Sequence, residues 1–257
     1  MRLRLSAILA LGLLVVLATA ACKSDRSYAN KPDDGYDLAA MSLSAADLPA
    51  GFDDARLPDH VFDNQQWADV LGAPDPQAKQ AQLDAQGRIK AYVSVFQAQK
   101  LGRILSITSI STLYKDVKAA TDAEKQYACG VPVDDTTPLD PFAVPPLGDH
   151  STGFVSTQDR GNGQAFSDTN LCFRTGRIVH VVQQTTIPGV EDLALNVRLA
   201  NIMLKHVNDT FDGKRMPEPT STGTPDAGGL VPLTPSANGT ATGQATPKAT
   251  VPATATK

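Results

Sequence analysis

The chain has 257 residues, 42% of them hydrophobic and 19% charged, with 23 Lys and Arg against 27 Asp and Glu for a formal net charge of −4. That length bounds the answer at one or two domains. A mildly acidic chain with no long Lys/Arg run excludes nucleic acid as the expected partner, and four histidines with three cysteines, none at ligand spacing, exclude a zinc module.

In chain order, Met1-Arg2-Leu3-Arg4 precedes an apolar run from Leu5 to Leu17 and the small residues Ala18 to Ala21 before Cys22. Charged, apolar and small-residue segments in that order mark a secretory signal. The run of about 13 residues is short of the roughly 20 needed to span hydrocarbon. The junction Ala20-Ala21-Cys22 resembles the bacterial lipobox, in which a small residue precedes a cysteine that receives a diacylglyceryl group. The resemblance covers the first 22 residues. It implies cleavage after Ala21, acylation (diacylglyceryl and palmitate) at Cys22, and a protein anchored to the extracytoplasmic face of the cell membrane. Two or more acyl chains hold a protein stably, at about 0.8 kcal/mol per buried methylene. Loss of Arg2 and Arg4 with the signal leaves the mature chain at −6.

Residues 22–41 read as a polar tether, 42–212 as one globular domain, and 213–257 as a Thr/Pro/Ala/Gly-rich tail. The tail has no aromatic after Phe211, so it is expected to be disordered. Within the domain, the segment from Ser42 to Phe52 reads as a capped turn, Val61 to Leu71 as partly helical, and Pro76 to Gln86 as a helix capped by Asp75 and stopped by Gly87. Arg88 to Gln97 and Ile104 to Thr112 alternate as paired strands. A helix is expected from Thr112 to Ala128, with Leu113, Val117, Ala120 and Tyr127 inward. The prolines at 132, 138, 141, 145 and 146 make Val131 to Leu147 an extended loop. Gly153 to Gln158, Gln164 to Phe173 and Arg177 to Thr186 then form a meander through tight turns. Last comes a helix from Val190 to Phe211 with Leu193, Val197, Ala200, Leu204, Val207 and Phe211 on one stripe.

This order gives an α+β domain with a mostly antiparallel sheet covered by helices. In outline it resembles the PsbP-like domains of thylakoid-lumen proteins and some bacterial lipoproteins. The segment Asp47-Leu-Pro-Ala-Gly-Phe52 is similar to the opening of uncharacterised exported domains. These resemblances imply a fold and transfer no site.

Cys129 and Cys172 are left over once Cys22 is acylated, and in an exported protein they are expected to pair. Closing a loop of about 43 residues stabilises by roughly 4 kcal/mol on the chain-entropy estimate. No catalytic, metal or cofactor site is legible. Asp149-His150-Ser151-Thr152-Gly153 lacks the glycine that a nucleophile elbow needs two residues before its serine. His60, His150, His180 and His206 have no partner at metal-ligand spacing. The pairs Asp33-Asp34, Asp53-Asp54 and Asp134-Asp135, and the turn from Asp159 to Gly163, read as solvated loops rather than calcium sites. The expected function is therefore a non-catalytic binding or interaction domain on a lipid anchor, taking an envelope protein or a small apolar ligand. Its surface is expected between the sheet and the last helix, or at the Val131 to Leu147 loop. An envelope-acting hydrolase with a site assembled in space and a structural wall spacer are the alternatives.

Overall fold

The computed structural model describes residues 28, 31–54, 60–100, 102–129, 131–132, 138–159 and 165–215. Cys22, Asp134-Asp135 and the tail beyond 215 lie outside the described residues.

Eight strands make one antiparallel sheet. They are β1 (Phe52–Asp54), β2 (His60–Phe62), β3 (Arg88–Ala98), β4 (Ile104–Tyr114), β7 (Asp140–Pro141), β8 (His150–Asp159), β9 (Ala165–Thr175) and β10 (Ile178–Thr186). Their order is β1-β3-β4-β10-β9-β8-β7, with β2 also on the outer side of β3. A two-stranded ribbon, β5 (Tyr127–Ala128) with β6 (Val131–Pro132), stands apart. The helices are α1 (Leu38–Met41), α2 (Asn64–Val70), α3 (Pro76–Ala85), α4 (Val117–Gln126) and α5 (Leu193–Phe211).

Local chemistry sets the helix starts. Asp63, Asp75 and Asp192 each accept a backbone N–H of the first turn of α2, α3 and α5. Asp116 does the same for α4 through Ala119 N–H at 2.7 Å. An aspartate here satisfies one of four otherwise orphaned donors and faces the positive end of the helix dipole.

Both faces of the sheet are covered. On one, α5 lies over Phe96, Ile107, Leu171 and Val182, with Leu199 and Met203 closing the core, and α1 packs over Tyr92, Leu113 and Ile178. Burying a side chain such as Leu199 contributes about 1.5–3 kcal/mol. On the opposite face, α2 brings Trp67 to Val93 and Val95, while Cys129 and Phe154 pack with Val181. The Sγ atoms of Cys129 and Cys172 stand 2.07 Å apart, at disulfide distance, which ties the chain after α4 to β9.

Four expectations are corrected. Residues 31–41 are not a free tether: Tyr36, Leu38 and Met41 are buried against Leu113, Ile178 and Val207, so the domain takes in residues assigned to the spacer. The helix expected from Thr112 begins at Val117, because Thr112, Leu113 and Tyr114 continue the β4 ladder beside β10; Leu113 is buried as a strand residue and Val117 is exposed. On α5, Ala200 and Val207 of the expected stripe are buried and Val197, Leu204 and Phe211 pack at its margin, but the stripe is centred on Leu195, Leu199 and Met203, with Asn196 and His206 buried beside it and Leu193 exposed. The segment before β8, expected as an extended loop, adds Asp140 and Pro141 to the sheet edge, paired with Val155 and Phe154. Phe142 and Val144 press on Gly153, where an added Cβ would lie 2.5 Å from the Phe142 ring.

Candidate functional site

The helices on the second face leave a groove between them. Gln82, Ala85 and Gln86 form the α3 wall, and Ala119, Asp122, Ala123 and Gln126 the α4 wall, with Lys115, Asp116 and Lys118 at the end where β4 gives way to α4. The groove has a volume of about 490 Å³. Two alanines one helical turn apart on α4 keep that wall low, since residues i and i+4 share a face. Lys115 extends its stem across Gly87, leaving no room there for a Cβ.

Two ammonium groups and two carboxylates cancel formally. Lys118 and Asp122 pair at 2.5 Å across one turn of α4, and Asp116 is held as the α4 cap. The bond to Asp122 raises the Lys118 pKa, and the same bond lowers that of Asp122. Both groups are exposed, so the pair contributes little to stability. Gln82 Oε1 accepts from Lys79 Nζ at 3.2 Å, and the alanine methyls leave room between the two walls. Such a lining sets a few hydrogen-bonding groups among apolar surface.

The histidines and the serine singled out from sequence are placed apart. His60 lies in β2. His150 is at the start of β8, its Nδ1 3.4 Å from Glu124 Oε1. Ser151 lies next to it and so points to the opposite face; its hydroxyl donates to Pro145 O and accepts from Leu147 N–H, which holds the loop. The two therefore do not form a dyad.

His180 is wholly buried between the hydroxyls of Ser111 and Thr175, at 3.0 and 2.9 Å, and stacks on Phe173. Burial pushes its pKa down to about 3, so the ring is neutral. Ser111 in turn meets Ser42 at 3.1 Å, and Ser42 donates to Leu38 O. This chain of hydroxyls ties α1 to the sheet with no access to solvent, because Ser42, Ser111 and His180 are all buried.

His206 comes nearest to a catalytic arrangement. Its Nε2 faces Asp47 Oδ1 at 3.2 Å, as an imidazole faces its orienting carboxylate in a triad. Its Nδ1 faces the carbonyl of Ser42 at 2.9 Å, an acceptor with no proton to surrender. The pair thus lacks a nucleophile and serves as a clamp between α5 and the turn after α1. Burial pushes the Asp47 carboxyl up, and the bonds from His206 and Ser44 outweigh that, bringing it down to about 2.

Sequence reading missed the groove and also a network beside it. Glu124, nearly buried, accepts from Arg174 Nε at 2.8 Å, and Arg174 reaches Asp149 at 3.1 Å. Asp149 also accepts Gly176 N–H. Asp33 pairs with Arg177, and Asp53 accepts from Gln99 at 2.7 Å, so these carboxylates brace the surface. Among the described residues no group of three or more His, Cys, Asp or Glu is placed to hold a metal ion. Among the same residues no helix is long and apolar enough to cross a membrane.

No protein-family model matches the chain, and no curated protein matches it. Among solved structures it is similar to the extracellular domain of PknH from Mycobacterium tuberculosis, with 13% identity and a TM-score of 0.39, over 67% of this chain and 95% of that one. At that level nothing passes from that protein to this one beyond the statement of likeness.

Proposed function

We propose that this chain is an exported lipoprotein, anchored through Cys22 to the extracytoplasmic face of the membrane, whose domain works by binding and not by turnover. The observation that carries the binding half is the groove between α3 and α4, with three carboxamides, two ammonium groups and two carboxylates around small methyl walls. The anchoring half rests on the Ala20-Ala21-Cys22 junction. The groove's mixed lining suits an envelope fragment that joins an apolar part to hydroxyl, amide or phosphate groups, beside the small apolar ligand expected from sequence. His206 and Asp47, spent on a clamp, support binding over hydrolysis.

The test is a nuclear magnetic resonance titration of the exported domain with a disaccharide-peptide wall fragment and with glycerophosphate headgroup analogues. Shifts confined to Gln82, Gln86, Lys115 and Gln126, abolished by the groove-filling Ala123→Trp, support the reading. Hydrolysis of either probe that is lost in His206→Gln would replace it with the hydrolase reading.

A further inference from the structure

Chain entry and exit share one end of the sheet. Tyr28 is fixed there: its hydroxyl donates to Asn208 at 2.6 Å, its ring meets Phe211 edge-on at 5.1 Å, and its backbone lies against Gly176 in the β9–β10 turn. Tyr36 adds a second edge contact to Phe211 and donates to Tyr28 O at 2.8 Å. Helix α5 runs toward this end, and the described chain leaves just beyond it, with Arg215 N–H bonded back to Asp209 O. The opposite end carries the β10–α5 turn, where Ile187 is 52% exposed and Leu193 is exposed beside it.

We infer that the Gly176 end of the domain is held at the bilayer surface and the Ile187 end is presented to the envelope. This rests on Cys22 as the anchor. From Cys22 to Tyr28 is six residues, which reach at most about 21 Å when fully extended, at ~3.5 Å per residue. The longest strands have 11 residues and run about 36 Å, at ~3.3 Å per residue. An inverted domain would place Tyr28 a strand length from the membrane, farther than the tether extends. A body leashed by one end beside an impenetrable plane keeps that end nearest. At the near end Lys118 pairs with Asp122, Lys214 with Asp212 and Arg177 with Asp33, while Lys31 lies over the Phe211 ring and Lys115 flanks the groove; the leash sets the orientation without calling on lipid charge. The α3–α4 groove, flanked by Lys115 at this end, then opens within reach of headgroups.

Chemical anchoring separates this inference from the reading beneath it. With Cys129 and Cys172 paired, Cys22 is the one free thiol of the mature chain, and it can be coupled to maleimide lipids in vesicles whether or not cells acylate it. A donor dye is attached through p-azidophenylalanine at Lys118 or at Ile187, both exposed, with acceptor dye in the bilayer. Greater transfer from position 118 than from 187 is expected in zwitterionic vesicles, with the gap narrowed by twenty Gly/Ser residues inserted after Cys22. Equal or reversed transfer at native spacing, or a gap untouched by the insertion, overturns the inference. Whether cells acylate Cys22 is read separately, from the mass of the exported protein.

Discussion

Asp47→Asn removes one negative charge from the clamp between the turn after α1 and helix α5 while keeping the side chain's shape. In the fold the carboxylate accepts from Ser44 N–H at 2.8 Å and faces His206 Nε2 at 3.2 Å. Its pKa falls from an ordinary 3.8 to about 2. At 1.36 kcal/mol per unit the drop sets an upper bound near 2.4 kcal/mol, and partial exposure reduces this to about 1–2 kcal/mol. The sign follows from linkage. A carboxyl with a depressed folded pKa stabilises above its unfolded value, and that stability disappears as pH falls from about 4 to about 2. Urea denaturation of wild type and Asp47→Asn at pH 7, 4 and 2 reads the difference directly. The gap should be about 1–2 kcal/mol at pH 7 and close to zero at pH 2. A gap that stays constant across this range would show that the carboxylate's charge has no part in the clamp.

Further expectations concern stability. Replacing Cys129 and Cys172 together by Ala should cost about 4 kcal/mol in non-reducing denaturation, for a span of 43 residues; an unchanged midpoint would deny the link any role. His180→Leu strips partners from the buried hydroxyls of Ser111 and Thr175 and should cost about 2–4 kcal/mol. Because burial holds His180 near 3, wild type loses this contribution as pH falls below the ordinary 6.5 toward 3, whereas the Leu variant shows no matching slope on thermal melting. Gly148→Ala places a methyl 2.2 Å from Arg174 O at a backbone φ of +58°, and should lower the melting temperature by more than 10 °C, well beyond a helix-surface substitution such as Gln65→Ala.

Sequence made the strands and helices of the sheet legible because the hairpin turns and aspartate caps are local signals. The tally of faces was not legible. Ser94, Ser109, Ser111, Thr169, His180 and Gln184 are all buried on the face beneath α5, so polarity there does not mark the outside. For the same reason the stripe of α5 was centred about one residue around the helix from its true position, with only Ala200 and Val207 common to both: Asn196 donates to Thr169 O from inside the core and His206 is buried in the clamp. Residues 31–41 look like spacer by composition, yet Tyr36, Leu38 and Met41 find their partners in β4, β10 and α5, far along the chain. The groove was invisible for a related reason. Its walls come from two helices separated by the β3–β4 hairpin, and glutamines and lysines on a helix surface otherwise signify only solvent.

The anchor is the premise on which the account of location and orientation stands, and its most direct test is the intact mass of the N-terminal peptide from membrane-fraction protein, read beside the fractionation of Cys22→Ala. A peptide beginning at Cys22 with diacylglyceryl and fatty-acyl mass added, and release of the variant from the membrane fraction, are the expected results. An unmodified Cys22, or a Cys22→Ala protein that still sediments with the membrane, would contradict it.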